Sequence, residues 1–394
     1  MVPNLTDNNA PYTRGVTHAQ APIAPHVRIV DQTMREGMQY RGIMLDLDQR
    51  RRILDFQNAL GVDASEVGYP PAHKWERDIV EALTVHADAF GYQTAITALC
   101  RAIKSDVLLT LECGAKHVSM HSLPPSHGRY SESTIEAIGE SVHTATRATS
   151  NLGSVAVTLT DVAKLPPESL ATSVYRLCVA FGLKTIGLAD SSGLLSPSEF
   201  SAVVSAAIAA WPSGDGQVAV HCHNDFGLAS ANTIAGVEAG ARTARVSALG
   251  IGERNGIGDL FVVSKTLARL GYHISVDTTN EDLFKQYYEY VDGLCYKQTG
   301  THLLHENTPY FGSNTKTYVA GTHGVTTYGP HADGEIFLNI LCGKHLVRRF
   351  LECHDIPFTE GSLGKVVERI KDCSARRKRR LDAQEVRSMV GDMS

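Results

Sequence analysis

From residue 27 to about 272, short apolar runs alternate with stretches whose apolar residues recur at helical spacing. The runs predict strands at Val27–Asp31, Val62–Val67, Tyr92–Ala98, His117–His121, Ser154–Leu159, Thr185–Ala189, Gln217–His221 and Ala244–Leu249. Between them the pattern predicts helices, among them Asp46–Leu60, Lys74–Ala87, Ser131–Ser150, Ser196–Trp211 and Leu228–Ala239. Two helix starts are marked by cap residues and early prolines, Ser196-Pro197-Ser198-Glu199 and Lys164-Leu165-Pro166-Pro167-Glu168. Eight strand–helix units in about 245 residues match an α/β fold of the (β/α)8 barrel type. The rival, a doubly wound open sheet, usually has fewer strands.

Past residue 275 the alternation stops. Asn280–Leu294 reads as a helix, and residues 299–335 are rich in Gly, Thr, His and Tyr without periodicity, as in a long functional loop. Phe337–Cys353 and Leu363–Met393 read as helices of a smaller, mostly helical C-terminal domain. The expected organisation is therefore a mobile, polar and Pro-rich arm over 1–25, a catalytic barrel over 26–275, and a linker with a helical subdomain over 276–394. The run Arg376-Arg377-Lys378-Arg379-Arg380 falls in the last helix, as a solvated face or as an anion contact.

Composition narrows the function. The chain has 394 residues, 43% hydrophobic and 20% charged, which is ordinary for a globular protein. A net charge of −5 provides no field favouring nucleic acid or an anionic membrane. The apolar runs are too short to span a bilayer, and no secretory signal opens the chain. The eight cysteines are scattered without a Cys-x-x-Cys pair, and Cys100 and Cys178 sit in apolar stretches. Reduced thiols and a cytoplasmic location are the expectation.

In a barrel enzyme the active site gathers where strands end. Polar residues follow these strand ends: Arg35, Glu36 and Gln39; Glu66; His121 and Ser122; Asp190, Ser191 and Ser192; His221, His223, Asn224 and Asp225; and the turn Gly250–Gly256. His221-Cys222-His223 on extended chain places both imidazoles on one face. With the acidic motif Asp31-Gln32-Thr33-Met34-Arg35-Glu36 it suggests that Glu36, His221 and His223 bind a divalent metal. Asp31 is then a fourth ligand or a group that orients a histidine. Arg35 would face the same cavity, where a guanidinium can stabilise developing negative charge. Gly250–Gly256 is an anion-holding turn or a plain tight turn, and Tyr69-Pro70-Pro71 a rigid loop. His323, in the Gly-flanked segment Ala320–Gly324, is a candidate general base.

Taken in order, these motifs resemble the acyl-CoA-dependent 2-oxo-acid synthases, a family of metal-dependent Claisen-condensing barrels that includes isopropylmalate, homocitrate and citramalate synthases. Hydroxymethylglutaryl-CoA lyase is a cousin. The resemblance covers about residues 27–345. It rests on Asp31–Gln39, Glu66-Val67-Gly68, Asp190-Ser191-Ser192-Gly193, His221–Gly227 continuing to Asn232, Val237–Ala241, Gly250–Gly256 and Ala320–His323. It implies that Glu36, His221 and His223 hold Zn, Mn, Co or Mg, that Arg35 and Gln39 assist at the reacting carbonyl, and that acetyl-CoA is the co-substrate. It also implies that Ser191 contacts the substrate carboxylate and that Glu66 points at the distal part of the oxo acid. Ser122 is a further candidate substrate contact. His323 would reach a partner subunit's barrel in a homodimer.

The chain departs from the family pattern at Met34 and Met38, and at Thr158-Leu159-Thr160-Asp161, where Ser-x-Glu-Asp is usual. Thr160 thus replaces a candidate acid/base, and either Asp161 substitutes or the base lies elsewhere. Glu-Arg-Asn-Gly-Ile at 253–257 is closer to homocitrate synthases, and no long regulatory domain is expected. The loops offer His73, Lys74, His121, Ser122, His127 and Arg129, which suit a polar 2-oxo acid such as 2-oxoglutarate, oxaloacetate, phosphonopyruvate or a phosphinopyruvate. The alternatives are a metal-dependent C–C lyase of the same superfamily and a non-catalytic scaffold. The intact Glu36, His221 and His223 speak against the scaffold.

Overall fold

The computed structural model describes residues 25–149, 155–211, 216–319 and 335–391. The N-terminal arm up to residue 24 and the segment carrying His323 lie outside the described residues. Eight parallel strands close a barrel in chain order: β1 Arg28–Asp31, β2 Ala64–Gly68, β3 Ala95–Arg101, β4 His117–His121, β5 Val155–Leu159, β6 Thr185–Asp190, β7 Gln217–Cys222 and β8 Thr243–Val246. The ring shuts where β8 pairs with β1, Val246 against Asp31.

Period-two alternation sorts each strand. Ile29, Val118, Met120, Val157, Leu159, Ile186, Leu188, Val218, Val220, Ala244 and Val246 point outward into apolar clusters shared with the surrounding helices. Val30, Ala64, Glu66, Thr97, Ser119, Ala156, Thr185, Ala219, Thr243 and Arg245 point inward around a void of about 40 Å³. The interior is thus small and polar instead of being filled by large aliphatic layers. β8 ends at Val246, three residues earlier than its apolar pattern suggests. There the Thr33 hydroxyl accepts from the Ala248 amide at 2.8 Å, and the chain turns into a single 3₁₀ turn with Leu249 at φ 56°.

The helices predicted within the barrel are present, whereas that predicted over Phe337–Cys353 begins only at Lys344, after the short strand Glu335–Ile336. Leu47–Ala59 and Pro197–Ala209 both begin with full capping boxes, Asp46 with Gln49 and Ser196 with Glu199. Arg50, fully buried on the first of these, donates to the carbonyls of Leu45 at 3.0 Å and Val67 at 2.8 Å and pairs with Glu76. Glu76 in turn accepts from the Tyr69 amide at 3.0 Å. This buried pair fixes the exit of β2, and a side chain at Gly68 would collide with it, a Cβ there lying 2.7 Å from Glu76.

The helix Glu281–Thr299 buries Phe284, Tyr287, Tyr288 and Val291 in the same cluster as barrel residues, so the barrel core extends past residue 275. Beyond it, Lys344–Cys353, Leu363–Arg377 and Ala383–Gly391 enclose a separate core that includes Leu338, Leu346, Val347, Phe350, Ile370 and Val386. That corrects the sequence-based expectation of a single helix over Leu363–Met393. The basic run breaks it: Lys378 adopts φ 55°, and Arg379 turns back to donate to Glu385 at 2.6 and 2.9 Å. Five adjacent cations repel at helical spacing, and two of them at a helix C-terminus are favoured by its dipole.

Glu76→Ala leaves the Arg50 guanidinium buried without its counter-charge. It should lower stability by about 3–5 kcal/mol in chemical denaturation. A loss below about 1 kcal/mol would mean that β2 is held by packing alone.

Candidate active site at the barrel rim

A cavity of about 530 Å³ opens at the C-terminal ends of the strands. Its wall brings together Gln32, Arg35, Glu36 and Gln39 after β1, His121 at the end of β4, Thr158 and Thr160 around the end of β5, Ser191 after β6, His221 and His223 at β7, and Arg245 on β8. Residues from β1 through the turn after β8 thus meet at one rim, as the strand-end reading requires.

Ligand atoms of Glu36, His221 and His223 all lie within 4.8 Å of one another, and all three residues are buried. The two imidazole Nε2 atoms face each other at 3.2 Å. His221 Nδ1 is 2.8 Å from Gln32 Oε1, an acceptor, so Nδ1 carries the proton and Nε2 presents its lone pair. Burial holds both rings below the usual histidine value, His221 well below, which keeps them neutral and able to ligate. His223 Nδ1 is buried without a hydrogen-bond partner. Two converging neutral nitrogens and a carboxylate form the donor set a divalent cation requires, and they fit one.

A charged network supports this cluster. The Gln32 amide donates to Glu66 at 2.9 Å, which fixes its oxygen toward His221. Arg35 donates from Nε to Glu66 at 2.6 Å and from Nη1 to Glu36 and to Gln39, the latter at 2.8 Å. Burial opposes the charge of Arg35, but Glu36 and Glu66 outweigh it and hold the guanidinium above its usual value. The Gly250–Gly256 turn closes over this group: the Glu253 amide donates to Glu36 at 3.2 Å, and a Cβ at Gly252 would sit 2.8 Å from the Glu36 side chain. What the turn's amide holds is therefore the Glu36 carboxylate.

Several expected residues sit elsewhere. Asp31 is fully buried, accepting from Thr33 and from the Tyr287 hydroxyl, and belongs to the barrel core beneath the site and not to the donor cluster. Glu66 is 1% exposed and faces Arg35 and Gln32. Ser122 is also 1% exposed; its hydroxyl meets Tyr130 at 2.9 Å and Thr160 at 3.2 Å behind the wall. Asp161 accepts from Ser192 at 2.8 Å and pairs with Lys164, so Thr160 takes its place at the cavity. His73 caps the helix Lys74–Phe90, and Lys74 pairs with Asp78 on the surface. His121 does line the cavity, donating from Nδ1 to the Ser122 carbonyl at 3.1 Å, with its ring held below the usual value by burial.

Wall residues without a role in the sequence reading include Gln32, Thr158 and Arg245. Arg245 carried a signal, since a cation on the inward parity of a buried strand is rare without a purpose. Gln32 carried none, because its role depends on a contact 189 residues away.

Residues 26–284 match the model of the HMGL-like family. The 2-isopropylmalate synthase of Sulfolobus acidocaldarius is 33% identical over 364 residues, covering 88% of this chain and 90% of that protein. A homocitrate synthase of Methanosarcina mazei is 26% identical over 380 residues, covering 92% and 90%. The crystal structure of the HMG-CoA lyase from Brucella melitensis superposes with a TM-score of 0.57 at 19% identity, over 69% of this chain and 99% of that one, and shares the barrel fold. The chain therefore belongs to the HMGL-like family, among its acyl-CoA-dependent 2-oxo-acid synthases.

Proposed function

We propose that the protein condenses acetyl-CoA with a polar 2-oxo acid, in the manner of a homocitrate synthase, giving a 2-substituted malate and free CoA. The observation that carries this reading is the convergence of Glu36, His221 and His223 beside Arg35 at one end of a cavity of small-molecule size. A divalent cation bound there, Zn, Mn, Co or Mg, would act as a Lewis acid toward a keto oxygen. Arg35, Gln39 and Ser191 line the same cavity; the first two would meet the negative charge developing on that oxygen, and Ser191 would contact the acceptor's carboxylate.

The reaction forms one C–C bond between the acetyl methyl carbon and the keto carbon. The methyl group loses a proton, the keto oxygen gains one, and water then cleaves the thioester to release the thiol. The family resemblance implies that His323, contributed across a homodimer, takes the proton; Thr160 at the cavity has no titratable group, and Asp161 is held by Ser192 and Lys164. Homocitrate synthases and isopropylmalate synthases both stand among the relatives, so their names alone leave the acceptor open. No described helix is long and apolar enough to cross a membrane.

Purified protein with a divalent metal should release thiol from acetyl-CoA with one member of a panel of 2-oxoglutarate, oxaloacetate, phosphonopyruvate, pyruvate and 2-oxoisovalerate. Glu36→Ala should abolish the release. Turnover that survives Glu36→Ala, or metal removal by a chelator, would sink the reading. Gln32→Leu frees the His221 ring to rotate and to change tautomer. Metal affinity, read by competition with a chromophoric chelator, should fall about 10- to 100-fold. An unchanged affinity would show that His221 needs no orienting partner.

A further inference from the structure

The cavity wall carries three guanidinium groups, and two are matched. Arg35 meets Glu36 and Glu66; Arg254 meets Asp225 at 2.8 and 2.9 Å. Arg245 is different. It is 5% exposed, yet among the described residues no carboxylate pairs with it. Its partners are two hydroxyls, Thr158 and, at 3.5 Å, Ser119. A guanidinium has five N–H donors in a planar fork, so two such bonds leave it under-satisfied. Burial pushes its guanidinium below the usual value; the field of Glu66 resists this and that of Arg35 adds to it.

The barrel is built to hold it. On the adjoining wall β6 presents Gly187, where a Cβ would lie 2.9 Å from Arg245 Nη1 and 2.5 Å from the Thr158 hydroxyl. The register pairs Val220 of β7 with Ala244 of β8, one residue short of His221 and Arg245. Those two side chains rise from the same level of adjacent strands into one cavity. A ligand gripped at the His221 side would share the cavity with a buried cation that has no carboxylate partner among the described residues.

We propose that Arg245 pairs with a second anionic group, carboxylate or phosphonate, at the far end of the 2-oxo acid, and so selects for doubly anionic acceptors. The inference rests on the synthase reading and adds to it the residue that sets the acceptor class. An acceptor ending in a branched alkyl group would leave Arg245 buried against methyl groups, its donors unsatisfied. A site built for a charged partner rejects an analogue lacking it far more strongly than an apolar pocket rejects a missing methylene.

The test uses the full-length protein with saturating Mn²⁺, Arg245→Met and Arg245→Lys. Thiol release gives kcat and KM, and calorimetry without acetyl-CoA gives the Kd of each acid. Wild type should bind 2-oxoglutarate, oxaloacetate or phosphonopyruvate well ahead of pyruvate and 2-oxoisovalerate, and the carboxylate and phosphonate arms name the anion. Arg245→Met should raise KM and Kd for the preferred acid about 100-fold or more, change the same constants for pyruvate at least about 10-fold less, and recover partly in Arg245→Lys.

Equal losses for pyruvate and the preferred acid would place Arg245 on the carboxylate that all these acids share, overturning the proposal. Wild type that binds 2-oxoisovalerate as well as the dicarboxylates would do the same. Should wild type release no thiol with any acid, the synthase reading fails, and the Kd comparison still decides the role of Arg245. If the methionine variant does not melt cooperatively, the lysine variant carries the test: it keeps a charge but loses the fork, and an unchanged Kd for the preferred acid would overturn the proposal.

Discussion

The site depends on holding three charged side chains, Glu36, Glu66 and Arg35, in contact inside the barrel. A buried charge is tolerated only when it is paired and hydrogen-bonded. Arg35 meets both carboxylates at once, and its neighbours Gln32 and Gln39 take up further polar atoms. Because Glu66 is fixed in this way, the Gln32 amide can point its oxygen only at His221. One residue's charge pairing therefore determines another's tautomer, and through it the direction of a lone pair. The polar interior below follows from the same constraint, since an aliphatic filling would raise the cost of every charge above it.

The supporting frame uses the same device at the next radius. Arg50 and Glu76 form a second buried pair outside β2, holding the carbonyl of Val67 next to Glu66. Arg245 is the exception, a buried cation that pairs with no carboxylate among the described residues. Two matched pairs beside one unmatched cation make that absence informative, because the fold evidently can supply partners where they serve stability alone.

Much of the fold was legible because strand periodicity and helix periodicity are local. All eight strands and their order follow from apolar runs separated by amphipathic stretches, and Ser196 with Glu199 marks its helix start as the sequence suggests. Glu36, His221 and His223 were legible because strand ends converge in a barrel. Ser122 was misplaced by one step of the same rule: His121 faces the cavity, so the residue beside it turns behind the wall. Asp161 is held aside by a φ of 54° that no local pattern announces. Gln32 and Thr158 act through contacts between distant strands, and the break at Lys378 arises from repulsion within the basic run and its attraction to Glu385, seven residues on.

The closure of the ring has a kinetic side. β1 pairs on one edge with β2, close in the chain, but on its other edge with β8, some 215 residues later. At ribosomal speeds, the first strand waits on the order of ten to forty seconds before Thr243–Val246 has been made. Throughout that interval one edge of β1 has no partner, and an open edge is a template for pairing with other chains. Arg28 and Asp31 stand at the two ends of that edge, so the strand left waiting longest carries a charge at each end.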